Sequence, residues 1–331
     1  MDKRAEYPSF SGVMTFLRSE YIRPEEAKKG EYVVVGAPYD TTTGSRPGSR
    51  YAPNEIRKES VHFLYHLTAV DGEVIDVVTK KRMKSKMIGE IRDAGDLRVF
   101  PGDVMRTTDS IAAGVETITA AGATPITLGG DHYIAYPAVK GFAEGLEKRL
   151  GRKPRIGYIH LDSHLDAYNE NETWGKYYHG SPARRISELE AVDMKNMVWV
   201  GINGTTGIEA YEYVTKNGGT ILTTADIERD GVPAVMNQAI RIAEQGTDAV
   251  YVTIDIDIVD QAFSCGTGSY IYGGITAVQL LDMAAALSKA NVGALDIVEV
   301  SPPLDPSGNT SRLAATTLLS FLKPRLFEFS E

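Results

Sequence analysis

The chain has 331 residues, 43% of them hydrophobic and 24% charged, which suits a globular protein with a sizeable core. A formal net charge of −9 argues against a nucleic-acid partner, because the average field repels phosphates. One cysteine, Cys265, excludes an intrachain disulfide, and neither a membrane-spanning apolar run nor a signal-type segment is visible; the expectation is a cytoplasmic protein without a membrane partner.

Residues 1–29 read as an irregular arm with a short helical piece near Pro24, leading into one domain that takes in the rest of residues 1–331. Tyr32–Gly36 is a β-branched strand closed by glycine, and the Gly-, Pro- and Thr-rich stretch 37–50 after it is a long loop. A helix starts at Ala52 with Pro53 in its first turn. Residues 79–86 hold five basic side chains and read as solvated surface. Helices are predicted over 110–121, with Asp109 or Ser110 as cap, and over 133–146, with the strand Thr124–Leu128 between them. A buried strand covers 155–161, a polar loop 169–181 and a helix the residues up to 191. Further strands fall at 197–202, Thr220–Thr223, 249–254 and 292–300, and helices at 208–217, 233–245, 276–290 (capped by Thr276) and 311–323. Strands alternating with helices imply an α/β fold whose parallel sheet is covered on both faces. Ligand sites in such sheets form at the carboxyl ends of the strands.

The strand over 155–161 runs into His160-Leu161-Asp162-Ser163-His164-Leu165-Asp166. Asp162, His164 and Asp166 stand two apart, so an extended backbone sends all three to one side. Such groups are costly to bury unless paired. A metal centre would pair them; an exposed loop with hydrogen-bonded carboxylates is the other reading. Asp255-Ile256-Asp257 repeats the spacing after another strand, and Gly129-Gly130-Asp131-His132 follows a third. Together they offer four carboxylates and two imidazoles, which two divalent cations would balance. A mixed O/N donor set without thiolate suits Mn²⁺ and similar ions, Ni²⁺ included, better than a structural zinc site, and two such ions would activate water at neutral pH.

In this order the three motifs resemble those of the ureohydrolases, the family of arginases and agmatinases, over residues 32–323. The resemblance implies a three-layer α/β/α fold with a central, mainly parallel sheet, a binuclear centre that is usually manganese, and a homotrimer or homohexamer. It implies one ion on His132, Asp162, Asp166 and Asp255, and a second on His164, Asp162, Asp255 and Asp257, with Asp162 and Asp255 bridging and Asp166 also counted with the catalytic residues. Glu299, in Asp296-Ile297-Val298-Glu299, matches the glutamate that holds a substrate guanidinium. His179, in Tyr178-His179-Gly180, matches a mobile-loop histidine that shuttles protons. His160 alternates with Asp162 and stands outside the set, as do His62 and His66, four apart on a helix.

The stretches Gly36-Ala37-Pro38-Tyr39-Asp40 and Asp166-Ala167-Tyr168 look like the agmatinase branch, so the expected reaction is hydrolysis of agmatine, a small cationic guanidino compound, to urea and putrescine, with Tyr168 beside the substrate. The family's usual Asp-Pro is here Asp260-Gln261, Gly201-Ile202-Asn203-Gly204 lacks a usual arginine, and Tyr270 and Tyr272 replace smaller loop residues. If the tyrosines shorten the pocket, guanidine, guanidinobutyrate or guanidinopropionate becomes the alternative, as does a formimino-type reaction on the same fold. A one-zinc deacetylase type and a non-catalytic subunit are disfavoured by the intact six-ligand set. A dinucleotide-binding module is disfavoured because no G-x-G-x-x-G opens a helix after the first strand.

Overall fold

The computed structural model describes residues 8–67, 73–77, 80–85 and 90–330. Its strands are β1 (Glu20–Tyr21), β2 (Tyr32–Gly36), β3 (Glu73–Asp76), β4 (Lys81–Ser85), β5 (Ile91–Asp96), β6 (Thr124–Leu128), β7 (Ile156–Leu161), β8 (Val192–Ile202), β9 (Thr220–Thr223), β10 (Ala249–Asp255), β11 (Val292–Val298) and β12 (Phe327–Ser330). Nine of them pair side by side in the order β1-β5-β2-β6-β11-β10-β7-β8-β9, every pair parallel. The other three form a small antiparallel sheet, β12-β4-β3.

Alternation along the strands sorts their side chains onto two faces. Val34, Ile159, Leu161, Val252 and Ile297 pack under helices Ala52–Ser60, Val232–Glu244, Ala277–Leu287 and Asn309–Leu326. Val33, Val35, Tyr158, Tyr251 and Ala294 pack under Val104–Ala120, Ala135–Leu150, Pro182–Ser187 and Ile208–Lys216. The result is the expected helix–sheet–helix sandwich. No helix among the described residues is long and apolar enough to cross a membrane.

Several elements depart from the sequence reading, each for a visible reason. The arm, read as irregular, is tied to the core in its described part and carries the short helical piece at Pro24–Glu26: Phe16 and Leu17 are buried, their amides donate to Asp93 Oδ2 and Ser60 Oγ, and β1 extends the sheet beside β5. Strand β5 is masked in sequence by Asp93 and Gly95; Asp93 is tolerated in the interior because Arg57 lies 2.9 Å from it and also reaches Asp96 at 2.6 Å. The helix expected at 110 begins at Val104, with Asp103 rather than Asp109 as its cap, accepting from the Arg106 amide. Its polar first turn hides two buried threonines, Thr107 and Thr108, whose hydroxyls return to the carbonyls of Asp103 and Val104. The helix expected to reach 191 stops at Ser187, β8 starts at Val192, and an extra helix, Thr224–Asp230, is capped by Thr223. Part of the basic stretch forms β4, with Lys81 and Arg82 exposed as anticipated.

The Arg57–Asp93 pair ties the arm, helix Ala52–Ser60 and β5 together. Arg57→Ala strands Asp93 in the interior, and the expected loss, on the order of 3–5 kcal/mol, is readable by denaturant unfolding.

Candidate metal centre

The motif residues come from four adjacent central strands, β6, β11, β10 and β7. Asp131 and His132 follow β6, Glu299 follows β11, Asp255 ends β10 with Asp257 in the 3₁₀ turn Ile256–Ile258 after it, and the heptad leaves β7. Parallel pairing puts these carboxyl ends level, so the groups meet in one depression. Gly130 is a steric requirement there, because a Cβ would lie 1.8 Å from the Tyr39 carbonyl oxygen. Asp166 (φ 45°) and Glu299 (φ 61°) both hold left-handed backbone, strain of the kind that collects at functional sites.

All six sequence-predicted ligands are brought together. His132 Nδ1 faces Asp162 Oδ2 at 3.0 Å, Asp166 Oδ2 at 3.0 Å and Asp255 Oδ2 at 3.1 Å. His164 Nδ1 faces Asp257 Oδ2 at 3.1 Å and Asp162 Oδ1 at 3.4 Å. Asp162 is therefore the carboxylate that touches both imidazoles, one with each oxygen. Asp255 reaches only the first group directly; its Oδ1 accepts from the Asp257 amide at 2.8 Å. His160 joins as well: its Nε2 lies 2.8 Å from Asp162 Oδ2, and its ring stacks on His132 with centroids 4.7 Å apart. The possible ligand atoms fall into two groups that share Asp162: His132, His160, Asp162 and Asp166, and Asp162, His164 and Asp257.

Hydrogen-bond direction tests whether these groups fit a cation. Asp296 accepts from the Tyr251 hydroxyl at 2.7 Å and from Thr253 Oγ1 at 2.5 Å. The Thr253 hydrogen is thereby committed, so Thr253 Oγ1 must accept from His132 Nε2, 3.0 Å away. His132 then carries a hydrogen on Nε2, and Nδ1 faces three carboxylate oxygens. The buried His132 Nδ1 and Asp162 Oδ2 are left without an aligned hydrogen-bond partner. The three carboxylates outweigh burial and hold the His132 titration well above its usual value, so the position at Nδ1 attracts positive charge, which a divalent cation would supply while taking the Nδ1 lone pair. The carboxylates are crowded as well. Burial, with the charges of Asp257 and Asp162, pushes Asp255 well above the carboxylate range, and burial with the neighbouring Asp162 charge takes Asp257 up to about 6 although His164 opposes it. Burial would raise Asp162 too, but His160 and His132 outweigh it and hold it well below that range.

Above this floor lies a cavity of about 310 Å³, lined by Asp166, Tyr168, Glu170, Tyr178, His179 and Glu299 among others. Its volume is at the low end for ligand pockets, roughly 300–1,000 Å³. No lysine or arginine is among the described residues that line it. Glu299 Oε1 accepts from the His132 amide at 2.8 Å and lies 3.4 Å from His179 Nδ1. Asp131 sits behind them: Oδ2 accepts from the amide and hydroxyl of Thr42, while burial and the Glu299 charge push its carboxyl up to about 7. Tyr168 lines the cavity with its hydroxyl accepting from the Gly207 amide.

The departures at 201–204 and 260–274 lie aside. Tyr272 is 71% exposed, Tyr270 packs against Arg46, and Ser269 is the loop residue that reaches the cavity, so the tyrosines do not shorten it. Asn203 holds the Tyr272 carbonyl, and Cys265 is exposed. His62 lies 4.0 Å from Glu59, away from the cavity; the side chain of His66 falls outside the described set. Sequence reasoning left out His160 and missed Thr253, Asp296, Thr42 and Gly44. Only His160 carried a signal, its two-residue phase with Asp162.

A family model described as the Arginase family matches residues 30–323. The chain belongs to the arginase family. This hydrolase is 34% identical over 289 residues to the human mitochondrial guanidino acid hydrolase, covering 87% of this chain and 76% of the relative. It is 31% identical over 312 residues to the agmatinase of Proteus mirabilis, covering 94% and 93% of the two chains. The crystal structure of proclavaminate amidino hydrolase from Streptomyces clavuligerus superposes with a TM-score of 0.80 at 29% identity, covering 96% of this chain and 98% of the other. The arginase-like architecture anticipated from the motifs is thus confirmed.

If Thr253 fixes the His132 tautomer, Thr253→Val lowers divalent-cation affinity about 10–100-fold while Thr253→Ser retains it. Equilibrium metal titration of both variants, with melting curves as a folding control, is the check.

Proposed function

We propose that this arginase-family hydrolase cleaves a guanidino compound to urea and an amine, with agmatine as the substrate the cavity suits best. The observation that carries the reading is the floor: two His/Asp groups sharing Asp162, with Glu299 beside them. His132, Asp162, Asp166 and Asp255 would hold one divalent ion and His164, Asp162, Asp255 and Asp257 the other, with His160 braced against Asp162. Bound ions would supply Lewis-acid polarisation and an activated water; Mn²⁺ fits the donor set, and Ni²⁺ is compatible with it.

The chain's own side chains account for the rest. Glu299 is 4% exposed and its carboxylate is fixed by the His132 amide, so it offers a planar guanidinium a rigid, charge-assisted acceptor. His179 stands over Glu299 on the loop after β7, within reach of a leaving nitrogen, and would manage its proton. Tyr178 and Tyr168 wall the cavity and limit water. The lining favours the tail chemistry. A carboxylate tail, as in guanidinobutyrate or guanidinopropionate, would enter a cavity that holds Glu170 and no lysine or arginine among its described lining, whereas an ammonium tail is complemented. The relatives' names span acidic and basic tails at similar identities, so the preference rests on this lining.

The test is urea release from agmatine, guanidinobutyrate, guanidinopropionate, arginine and guanidine, each with Mn²⁺ and with Ni²⁺. Agmatine should give the highest kcat/KM, and chelation should abolish turnover reversibly. Glu299→Gln should lower kcat/KM at least about 100-fold while metal content stays unchanged. A metal-replete protein that releases urea from none of the five would sink the reading; preference for an acidic tail would overturn its substrate half.

A further inference from the structure

His179 is held by two loops. Its own amide donates to the Thr42 carbonyl at 3.3 Å, and its ring Nε2 accepts from the Gly44 amide at 2.8 Å. Gly44 belongs to the loop after β2, whose other ties run to Asp131 and to the loop that carries Ser269 into the cavity. Thr42 bonds Asp131, Ser45 Oγ and the Arg46 side chain donate to the carbonyls of Gly268 and Thr267, and Asp40 anchors Gly48 and Arg50. The close approach favours glycine: a Cβ at Gly44 would stand 3.1 Å from His179 Nε2, so that the ring would have to give by a few tenths of an ångström.

The direction of this bond has a chemical consequence. A backbone amide only donates, so Nε2 must present its lone pair and cannot carry a proton. The remaining ring hydrogen is then on Nδ1, the atom 3.4 Å from Glu299 Oε1. We propose that the Gly44 amide is a positioning group that holds His179 neutral with its hydrogen on Nδ1, so that protonation of the ring and closure of the loop over it exclude one another. The proposal deepens the functional reading, since it concerns the residue assigned to the leaving-group proton.

The charged groups facing the ring are Glu299, Asp166 and Asp131. Burial disfavours the imidazolium, but Glu299 and the two aspartates outweigh it and pull the ring up toward about 9. The Gly44 amide opposes them, because it occupies the nitrogen that the second proton needs. The ring therefore takes up its proton only as Gly44 moves away, and it becomes an acid as the loop loosens. As pH falls the contact is lost; as pH rises the closed loop is favoured.

Nitrogen-15 NMR of histidine-labelled protein, loaded with diamagnetic Zn²⁺, reads the tautomer without turnover. The chain has six histidines, and His179→Asn assigns the signal. Above its titration, which Glu299 and the aspartates pull toward about 9, the neutral ring should show a protonated Nδ1 and an unprotonated Nε2. In Gly44→Pro, which lacks the amide hydrogen, its titration should move up by about one pH unit. An Nε2–H tautomer of the neutral wild-type ring overturns the proposal, as does an unshifted titration in a folded Gly44→Pro. If that variant melts early, the wild-type spectrum decides alone. A correct tautomer in a protein that releases no urea would leave this inference standing and remove the substrate reading instead.

Discussion

Asp162, Asp166, Asp255 and Asp257 end within contact of two imidazoles, at the bottom of a cavity whose described lining has no lysine or arginine. Like charges this close and this buried cannot all remain ionised without help. A protein that did not use such a site would gain by replacing it with apolar side chains. The unresolved negative charge is the constraint from which the other features follow. It explains why a cation is expected, why Asp162 is placed between both sides, and what Glu299, one further carboxylate beside the floor, would offer a guanidinium.

The sheet is the device that brings the charges together, and it also supports them from behind. In the register of the parallel strands, Thr253 lies between His160 and Asp296, making a buried polar row on the face that otherwise packs Tyr158 and Tyr251. Its members satisfy one another: Tyr158 with His160, Thr253 and Tyr251 with Asp296, Thr253 with His132. Each of those bonds has a direction, and the directions propagate to the floor. Asp296 touches none of the ligands, yet it decides which nitrogen of His132 is free. The same logic, with a backbone amide in place of a hydroxyl, operates at His179 on the opposite side of the cavity.

Much of this was legible in the amino-acid order. The two-residue spacings of Asp162, His164 and Asp166 and of Asp255 and Asp257 are local and mark the site in sequence, although not through strand alternation: β7 ends at Leu161 and β10 at Asp255, and a 3₁₀ turn over Ile256–Ile258 and left-handed backbone at Asp166 turn the later members to the floor. The alternation of strands and helices fixed the layers for a similar reason. What stayed hidden depends on contacts between distant residues. Strand β5 shows no strand pattern until Arg57 is seen beside Asp93, and the arm reads as irregular until Phe16 is found in the core. The final strand β12 makes sense only with β4 as its partner. At the site, Thr253 and Asp296 look like ordinary strand residues, and Gly44 like any loop glycine; their roles reside in hydrogen-bond directions across the sheet and between loops. The tyrosines at 270 and 272 misled for the converse reason: bulk near a motif suggested a cavity wall, but the loop exposes Tyr272 and packs Tyr270 against Arg46.

The central claim is that the converging carboxylates hold two cations with Asp162 between them. A crystal structure of the Mn²⁺-soaked protein, with anomalous differences collected at the manganese edge, tests it most directly. The account predicts two peaks in the cavity floor, one beside His132 Nδ1 and one beside His164 Nδ1, each within coordination distance of a different oxygen of Asp162. A single peak, or manganese bound elsewhere while the floor stays empty, would contradict it.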